Sequence, residues 1–248
     1  MIRARREAID HLATPGSAVD GVLVVGMEAS GVRLVGNALS LLGLAVIDSP
    51  AKDGAPSALR SLNEEMLRVA AGGQGRLPVA APAEVAHALA PWEDEAARTL
   101  ADWVSRPGRD LTTGPWVWAD PGLSFLGSFW ANTLAVRPAV VLVHRDPAEV
   151  VAVLAADEIG EAEVAKAWDR HNRGALLLSS KFPTLVVNYA DAVSDPKLTL
   201  STISEFLHGL GVVLDNELAS AVELMESASA GSEPPPRNGC IRANNSAT

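Results

Sequence analysis

Residues 21–44 read GVLVVGMEASGVRLVGNALSLLGL. The uninterrupted apolar run Val22–Val25 is typical of a strand buried on both faces of a parallel sheet. A glycine turn follows from Gly26 to Gly31, and apolar residues then recur at helical spacing from Val32 to Leu42. A strand, a glycine turn and a helix N-terminus in this order present backbone N–H groups to an anion. The stretch therefore predicts either an anion cradle or a tight turn that binds no ligand.

The turn does not match the common phosphate-binding patterns. The P-loop pattern requires Lys and then Ser or Thr directly after its last glycine, but Val32 follows Gly31 here. The dinucleotide pattern GxGxxG also fails, because Gly26 and Gly31 have the wrong spacing. The residues between the two glycines, MEAS, include no cation. On spacing alone, both interpretations of the turn remain open.

Further along the chain, apolar strands alternate with helices. The additional strands are predicted at Leu44–Ile47, Trp116–Ala119, Ala139–His144 and Thr184–Tyr189. Helices are predicted at Leu59–Ala71, Ala83–Val104 with an interruption at Pro91, Ser124–Leu134, Ala148–Ala156, Glu161–Ser180, Lys197–Leu207 and Leu218–Ala228, with a short helix before Ala18. This alternation predicts a single α/β domain over 1–248: a P-loop-like three-layer sandwich with a central parallel sheet flanked by helices. Residues 229–248 are predicted to form a flexible tail.

Composition excludes several classes of protein. The chain has 248 residues and a formal charge of -10, which argues against general affinity for nucleic acid or anionic membranes. Cys240 is the single cysteine, and the histidines show no metal-binding spacing, so no metal site is expected. Neither a secretory signal nor a run long enough to span a bilayer is found. We therefore expect a cytoplasmic protein.

In parallel sheets, ligands bind at the carboxyl ends of the strands, so polar residues there are candidates for chemistry. Asp120 follows one strand and is either a general base or a structural aspartate of the turn before Pro121. Arg145 follows another and is either an anion ligand or the partner of a nearby carboxylate. Tyr189 ends a third and either stacks on a base or is a buried structural tyrosine.

In combination, these segments resemble the bacterial members of the sulfotransferase family that uses 3'-phosphoadenosine 5'-phosphosulfate (PAPS). The similarity covers about Val22 to Leu210 and depends on the order of the matching segments. GVLVVGMEASGVRLVGNALSLLGL is similar to the family's phosphosulfate loop, and AVVLVHRDPAEVVAVL resembles its 3'-phosphate motif. The other similar segments are SLNEEMLRVAAGG, WVWADPGLSFLGSFW, AWDRHNRGAL and VVNYADAVSDPKLTLSTISEFL.

The resemblance also implies site residues, and several of the expected ones are replaced. Expected cations fall at Ala29, Ala119 and Gly122, and expected hydroxyl residues at Val32 and Val153. By this resemblance, the cofactor-binding residues that remain are Gly26, Ser30, Gly31, Arg145 and Tyr189, with Arg237 in a weak echo of a late phosphate contact. Arg33 is expected to restore part of the lost charge at the phosphosulfate, and Asp120 is the expected general base.

Two functions follow from this resemblance. The first is PAPS-dependent transfer of a sulfuryl group to the hydroxyl of a small-molecule acceptor, with weak or lost cofactor binding. The second is a non-catalytic protein of the same fold that acts as a partner or scaffold, or that binds a less charged ligand. The sequence leaves the acceptor unidentified, and a monomer and a homodimer both remain open.

Overall fold

The computed structural model describes residues 19–47, 57–70, 81–105, 115–154, 159–214 and 218–231. The predicted N-terminal helix and residues 232–248 of the predicted tail, with Arg237, lie outside the described residues. Within the described residues, no helix is both long and apolar enough to cross a membrane.

A single five-stranded sheet forms the centre of the fold, with the strand order β2-β3-β1-β4-β5. All of its strand pairs are parallel. The strands are β1 Gly21–Gly26, β2 Ala45–Ile47, β3 Trp116–Ala119, β4 Pro138–His144 and β5 Thr184–Asn188. The predicted parallel pairing of the strands around Val22–Val25, Val140–His144 and Leu185–Val187 is confirmed.

Helices connect the strands and cover both faces of the sheet. They are α1 Val32–Leu41, α2 Ala58–Ala70, α3 Pro82–Ala88, α4 Glu93–Val104, α5 Leu123–Leu134, α6 Pro147–Leu154, α7 Glu161–Ser179, α8 Tyr189–Ser194, α9 Pro196–Gly209 and α10 Leu218–Gly231. The predicted interruption at Pro91 is a short 3-10 helix, Ala90–Trp92. Most other boundaries lie within one or two residues of the prediction, but Tyr189 begins α8 instead of ending β5, and α10 continues past Ala228 to Gly231.

The core lies in two layers, one on each face of the sheet. Leu23 and Val25 of β1 pack into one layer, which also contains buried tryptophans such as Trp118 and Trp130. Val22 and Val24 point into the other layer, with side chains of α1, α9 and α10. Because successive side chains of a strand alternate between faces, a strand buried on both sides must be continuously apolar. The α/β sandwich predicted from the sequence is therefore the observed architecture.

Candidate functional site

A cavity of about 260 Å³ opens beside the glycine turn at the carboxyl end of β1. Of the residues predicted for the site, Gly31, Arg33, Arg145 and Tyr189 line this cavity. Gly26, Ser30 and Asp120 are not among the described residues that line it. The remaining lining is mostly apolar and comes from Met27, Ala29, Val32, Leu34, Pro121, Val153 and Ala228, with Glu28 as the acidic member. The fold thus brings together the loop after β1, the loop after β4 and the start of α8, as expected for a parallel sheet.

Gly26 holds the end of β1 in close contact with its neighbours. A Cβ at this position would collide with the backbone carbonyl oxygen of Val143. The Gly26 N–H donates to the Ser124 hydroxyl at 3.2 Å, and that hydroxyl donates to the Gly26 carbonyl oxygen at 3.0 Å. Ser124 is a buried residue of α5 that sequence reasoning missed, because its partner lies 98 positions away in the chain. Gly26 therefore positions the turn and does not itself face the cavity.

Ser30 stabilises the turn through hydrogen bonds to its backbone. Its hydroxyl donates to the carbonyl oxygen of Met27 at 2.6 Å, and its N–H donates to the same oxygen at 3.1 Å. Only 2% of the residue is exposed. The side chain thus stabilises the turn, and binding of a ligand by this hydroxyl, which stays a prediction, would require breaking the bond to Met27.

The N-terminus of α1 carries the anion-binding potential of the site. Gly31, with φ at 95°, is the N-cap residue, and no side chain caps the helix there. Within the described residues, no hydrogen bond is made by the first backbone N–H groups, those of Gly31, Val32, Arg33 and Leu34. These residues all line the cavity. Uncapped N–H groups and the positive end of the helix dipole together favour a bound anion.

Arg33 lies at this helix end, but its charge is already balanced. Its Nη2 atom is 3.2 Å from Oε1 of Glu28, and both side chains are about half exposed, at 53% and 42%. An exposed pair of this kind contributes little to stability. Glu28, however, places a negative charge in the turn itself, where an incoming anion would be repelled. The predicted phosphosulfate contact of Arg33 stays a prediction.

Arg145 is built into the wall of the cavity by several contacts. Its Nη1 donates to the carbonyl oxygen of Ala29 at 2.9 Å, and its Nε donates to Glu149 at 2.9 Å. The guanidinium carbon lies 4.1 Å from the ring centroid of Tyr189, a cation–π arrangement. The backbone carbonyl of Arg145 accepts a bond from Trp168 Nε1 at 3.0 Å. The pairing with a carboxylate, one of the two interpretations from the sequence, is observed; its role as a ligand stays a prediction.

The ring of Tyr189 packs against Gly31 at the N-terminus of α1. A Cβ added to Gly31 would lie 2.5 Å from Cδ2 of the Tyr189 ring. Glycine is thus required at position 31 both by its positive φ and by the tyrosine. Arg145 and Gly31 both lie against the ring, which fits a structural role, but Tyr189 is only partly buried and lines the cavity, so its stacking on a base stays a prediction.

Asp120 is buried beneath the turn and belongs to a polar network. Its Oδ1 accepts from the backbone N–H of Gly122 at 2.6 Å, and its Oδ2 accepts from Asn63 at 3.4 Å. Asn63 in turn accepts from Trp130 Nε1 at 2.8 Å. Burial raises the pKa of Asp120, and the bond from Gly122, the charge of Arg60 and the bond from Asn63 offset part of this rise. These contacts fit the structural aspartate; its role as a general base stays a prediction.

The positions where cations are expected are occupied by small residues in confined surroundings. Ala29 has the left-handed backbone conformation, with φ at 63°. Ala119 packs directly against α1, since a Cβ on Gly36 of that helix would collide with the Ala119 Cβ. Gly122 has an ordinary helical φ of -61°, but a Cβ there would lie 3.0 Å from both Asp120 Oδ1 and Leu67 Cδ1. The cavity therefore has a helix N-terminus for an anion but a balanced set of side-chain charges around it.

Comparisons with solved structures show which known proteins share this architecture. A sulfotransferase domain from the olefin synthase of Synechococcus PCC 7002 superposes with a TM-score of 0.51 at 17% identity, over 81% of this chain and 76% of that chain. The sulfotransferase STF9 from Mycobacterium avium superposes with a TM-score of 0.50 at 14% identity, over 94% of this chain and 72% of that chain. The fold is that of a sulfotransferase domain.

At the level of sequence, no family model matches the chain, and no curated protein matches it. The likeness to sulfotransferase domains therefore shows the fold alone. Within the described residues, no group of three or more histidine, cysteine, aspartate or glutamate side chains is arranged to hold a metal ion.

Proposed function

We propose that this chain is a sulfotransferase-like protein that binds a singly phosphorylated or sulfated ligand at the N-terminus of α1 and does not use PAPS efficiently. One observation carries this proposal. Both cations of the cavity, Arg33 and Arg145, already pair with carboxylates, whereas the first N–H groups of α1 have no partner within the described residues. Such N–H groups suit one anionic group. Among the described residues, the arginines of the cavity are paired with carboxylates, so no unpaired positive charge is left for further anionic groups.

PAPS fits this set of donors only in part. It carries several negative charges, and sulfuryl transfer builds further charge on the phosphate that leaves. Preorganised donors aimed at that charge are the main catalytic contribution, and the loss of one costs about 2.7–4 kcal/mol in comparable sites. The residues at the expected cation positions, Ala29, Ala119 and Gly122, supply none of this stabilisation, and Glu28 opposes it. A small-molecule anion without transfer chemistry is therefore the better match.

PAPS-dependent sulfuryl transfer to a small-molecule hydroxyl is the second candidate function. The raised pKa of Asp120 favours it, because a carboxylate at a strand end with a raised pKa is suited to accept a proton from a hydroxyl. Asp120, however, does not line the described cavity, and both of its oxygens are engaged. Transfer by this route would require the polar network to open.

Calorimetry with three probes tests the proposal: inorganic sulfate, adenosine 5'-monophosphate and 3'-phosphoadenosine 5'-phosphate. We expect the two nucleotides to bind within about tenfold of each other and no tighter than micromolar, because the described residues that line the cavity include no unpaired cation for the additional 3'-phosphate. Sub-micromolar binding of the bisphosphate, or sulfuryl transfer from PAPS to a hydroxyl acceptor, would support the second candidate instead.

A charge-neutralising variant sharpens the test. Glu28→Gln should tighten binding of sulfate and of the monophosphate several-fold, since it removes a negative charge from the turn and releases Arg33. Glu64→Gln is the matched control, because Glu64 also pairs with an arginine at 3.2 Å but does not line the cavity. Equal affinities for Glu28→Gln, Glu64→Gln and the unchanged chain would show that the anion does not bind at this turn.

A further inference from the structure

The outer edge of β5 directs backbone hydrogen-bonding groups away from the sheet. The N–H of Val140 donates to the carbonyl of Pro183 at 2.8 Å, so Pro183 faces β4. Val140 is in register with Thr184, and Leu142 with Val186. Because consecutive residues of a strand direct their N–H and C=O groups to opposite sides, Thr184, Val186 and Asn188 point away from β4. Within the described residues, no strand pairs with that edge.

In the part of the chain that the structure describes, this edge also lacks the features that usually protect an edge strand. In natural proteins, a central lysine or proline, a bulge, or a covering helix or loop prevents an edge strand from pairing with another chain. The strand reads TLVVN, without a charge or a proline. Val186 is 59% exposed and is flanked in the strand by the partly buried Leu185 and the buried Val187. An exposed valine at the centre of an open edge is typical of a strand that pairs with another chain.

We propose that two copies of this chain associate by antiparallel pairing of their β5 strands, centred on Val186. A two-fold axis at Val186 places this residue opposite itself and Thr184 opposite Asn188 of the second copy. The outward-pointing residues therefore map onto one another: the two Val186 residues exchange two N–H···O=C bonds, and the Asn188 N–H of each copy donates to the Thr184 carbonyl of the other. The Asn188 carbonyl accepts the first bond of α8 and is not counted among these bonds. The two five-stranded sheets would join into one continuous sheet.

Charges on either side of β5 favour a second copy as the partner. Lys181 precedes the strand and Asp191 follows it, and both stand five residues from Val186. Antiparallel pairing about Val186 brings the Lys181 end of each copy to the Asp191 end of the other. Both side chains are exposed, and within the described residues neither forms an ion pair. The surface is therefore complementary to itself only in the antiparallel orientation.

Sedimentation velocity of the full chain over a range of concentrations tests the pairing. We expect a reversible dimer for the unchanged chain. Val186→Pro removes an outward N–H without removing a β4–β5 bond, and should weaken dimerisation by about tenfold or more. Val186→Lys, which places like charges together at the axis, should have the same effect and keeps the test valid if the proline variant does not fold. Val213→Lys changes a more exposed valine, at 73%, and is the matched control.

Charge reversal provides the second arm of the experiment. Lys181→Glu alone should weaken the dimer, because it places two negative charges opposite each other. Adding Asp191→Lys should restore the dimer, because the double variant has the same pair of opposite charges with their positions exchanged. Circular dichroism confirms that each variant is folded. A chain that stays monomeric at all concentrations overturns the proposal, as does a dimer that both Val186 variants leave intact.

Discussion

At the scale of single residues, the binding capacity of the site depends on which polar side chains already have hydrogen-bond or ion-pair partners within the protein. The sequence identifies Arg145 as a cation after a buried strand, and in the structure Arg145 lines the cavity. The sequence did not show that Ala29 accepts a bond from it or that Tyr189 lies under its guanidinium. Ser30 has the residue type expected for anion binding, yet its hydroxyl is bonded to Met27. Side-chain direction in a turn depends on local backbone angles, which a motif does not specify.

His171 is a buried residue with a clear consequence for stability. It lies in α7 with its ring edge-on to Phe125, and its Nδ1–H donates to the carbonyl oxygen of Ala167 at 2.9 Å. Burial lowers the pKa of His171 to about 4, against an ordinary value of 6.5, and the bond to Ala167 offsets only part of this shift. The folded chain therefore keeps this histidine neutral at pH values where the unfolded chain protonates it.

We predict that the free energy of unfolding falls as the pH is lowered from about 6.5 towards about 4. Over this interval the unfolded state binds the additional proton, so stability is lost as the pH falls, by an amount on the order of 3 kcal/mol. Urea unfolding at a series of pH values measures it. The raised pKa of Asp120 acts in the opposite direction, so the informative quantity is the difference between the unchanged chain and His171→Gln.

His87→Gln provides the control for this series, because His87 is exposed. The free energy of unfolding of His87→Gln should depend on pH as it does in the unchanged chain. In His171→Gln, the loss of stability caused by protonation of this histidine in the unfolded state should be absent. Parallel pH profiles for all three proteins would contradict the prediction.

At the scale of elements, strands were predictable and one helix was not. The apolar runs identified the five strands of the described residues, most clearly β1 and β4, which are buried on both faces so that little freedom in residue type is left. The short α8, YADAVS, has no apolar periodicity, and it is started by the Asn188 side chain, which accepts a bond from the Ala190 N–H at 2.9 Å. A cap of this kind occurs in turns and helices alike. The sequence therefore located this end of the strand but not the helix that holds Tyr189.

The contact between the start of α1 and α8 supports a second stability prediction. Gly31→Ala should destabilise the chain by about 2 kcal/mol or more, for two reasons. The left-handed backbone conformation at position 31 is unfavourable for alanine, and the added Cβ would overlap with the ring of Tyr189. Urea unfolding measures the loss. Gly209→Ala is the matched control: a Cβ there meets nothing within 4 Å, and alanine favours a helix, so this variant should be as stable as the unchanged chain or more so.

Tyr189→Ala in the Gly31→Ala background separates the two causes. It removes the overlap but not the backbone strain, so part of the lost stability should remain. A Gly31→Ala variant as stable as the unchanged chain would show that the ring moves aside freely and that α8 does not seal the helix N-terminus.

At the scale of the whole molecule, the fold brings together segments that are far apart in the chain. Residues 29, 119 and 122 come from the turn after β1, the end of β3 and the start of α5, and they lie at the same edge of the sheet because β1 and β3 are parallel neighbours. Of the three, Ala29 is the one that lines the described cavity. The order of elements was enough to predict this placement at the carboxyl edge. It was not enough to predict the charge balance, which depends on pairs such as Glu28 with Arg33. The scaffold was thus more predictable than the chemistry that it supports.

Restoring cations on this scaffold tests whether lost charge is what separates it from a PAPS site. We predict that Ala29→Arg, Ala119→Lys and Gly122→Arg together tighten binding of PAPS by about tenfold or more, since one charged hydrogen bond contributes roughly 1.5–3 kcal/mol. Ala29→Arg adds little backbone strain, because alanine already has the left-handed conformation there. Gly122→Arg is allowed by its φ of -61° but must displace Leu67 or the Asp120 carboxylate by a few tenths of an ångström. Ala119→Lys must direct its stem away from Gly36.

Calorimetry at matched salt, after circular dichroism has shown that both proteins are folded, compares the triple variant with the unchanged chain. The control carries three added cations away from the cavity, at the exposed positions Ala165, Leu176 and Val213, so that net charge alone is matched. Tighter binding by the triple variant and not by the control would show that the N-terminus of α1 is positioned for the phosphosulfate and lacks only charge. If a folded triple variant binds no better than the control, the turn does not present its N–H groups to the cofactor. The proposed anion site would then have to be abandoned along with the PAPS site, because both depend on the same helix N-terminus.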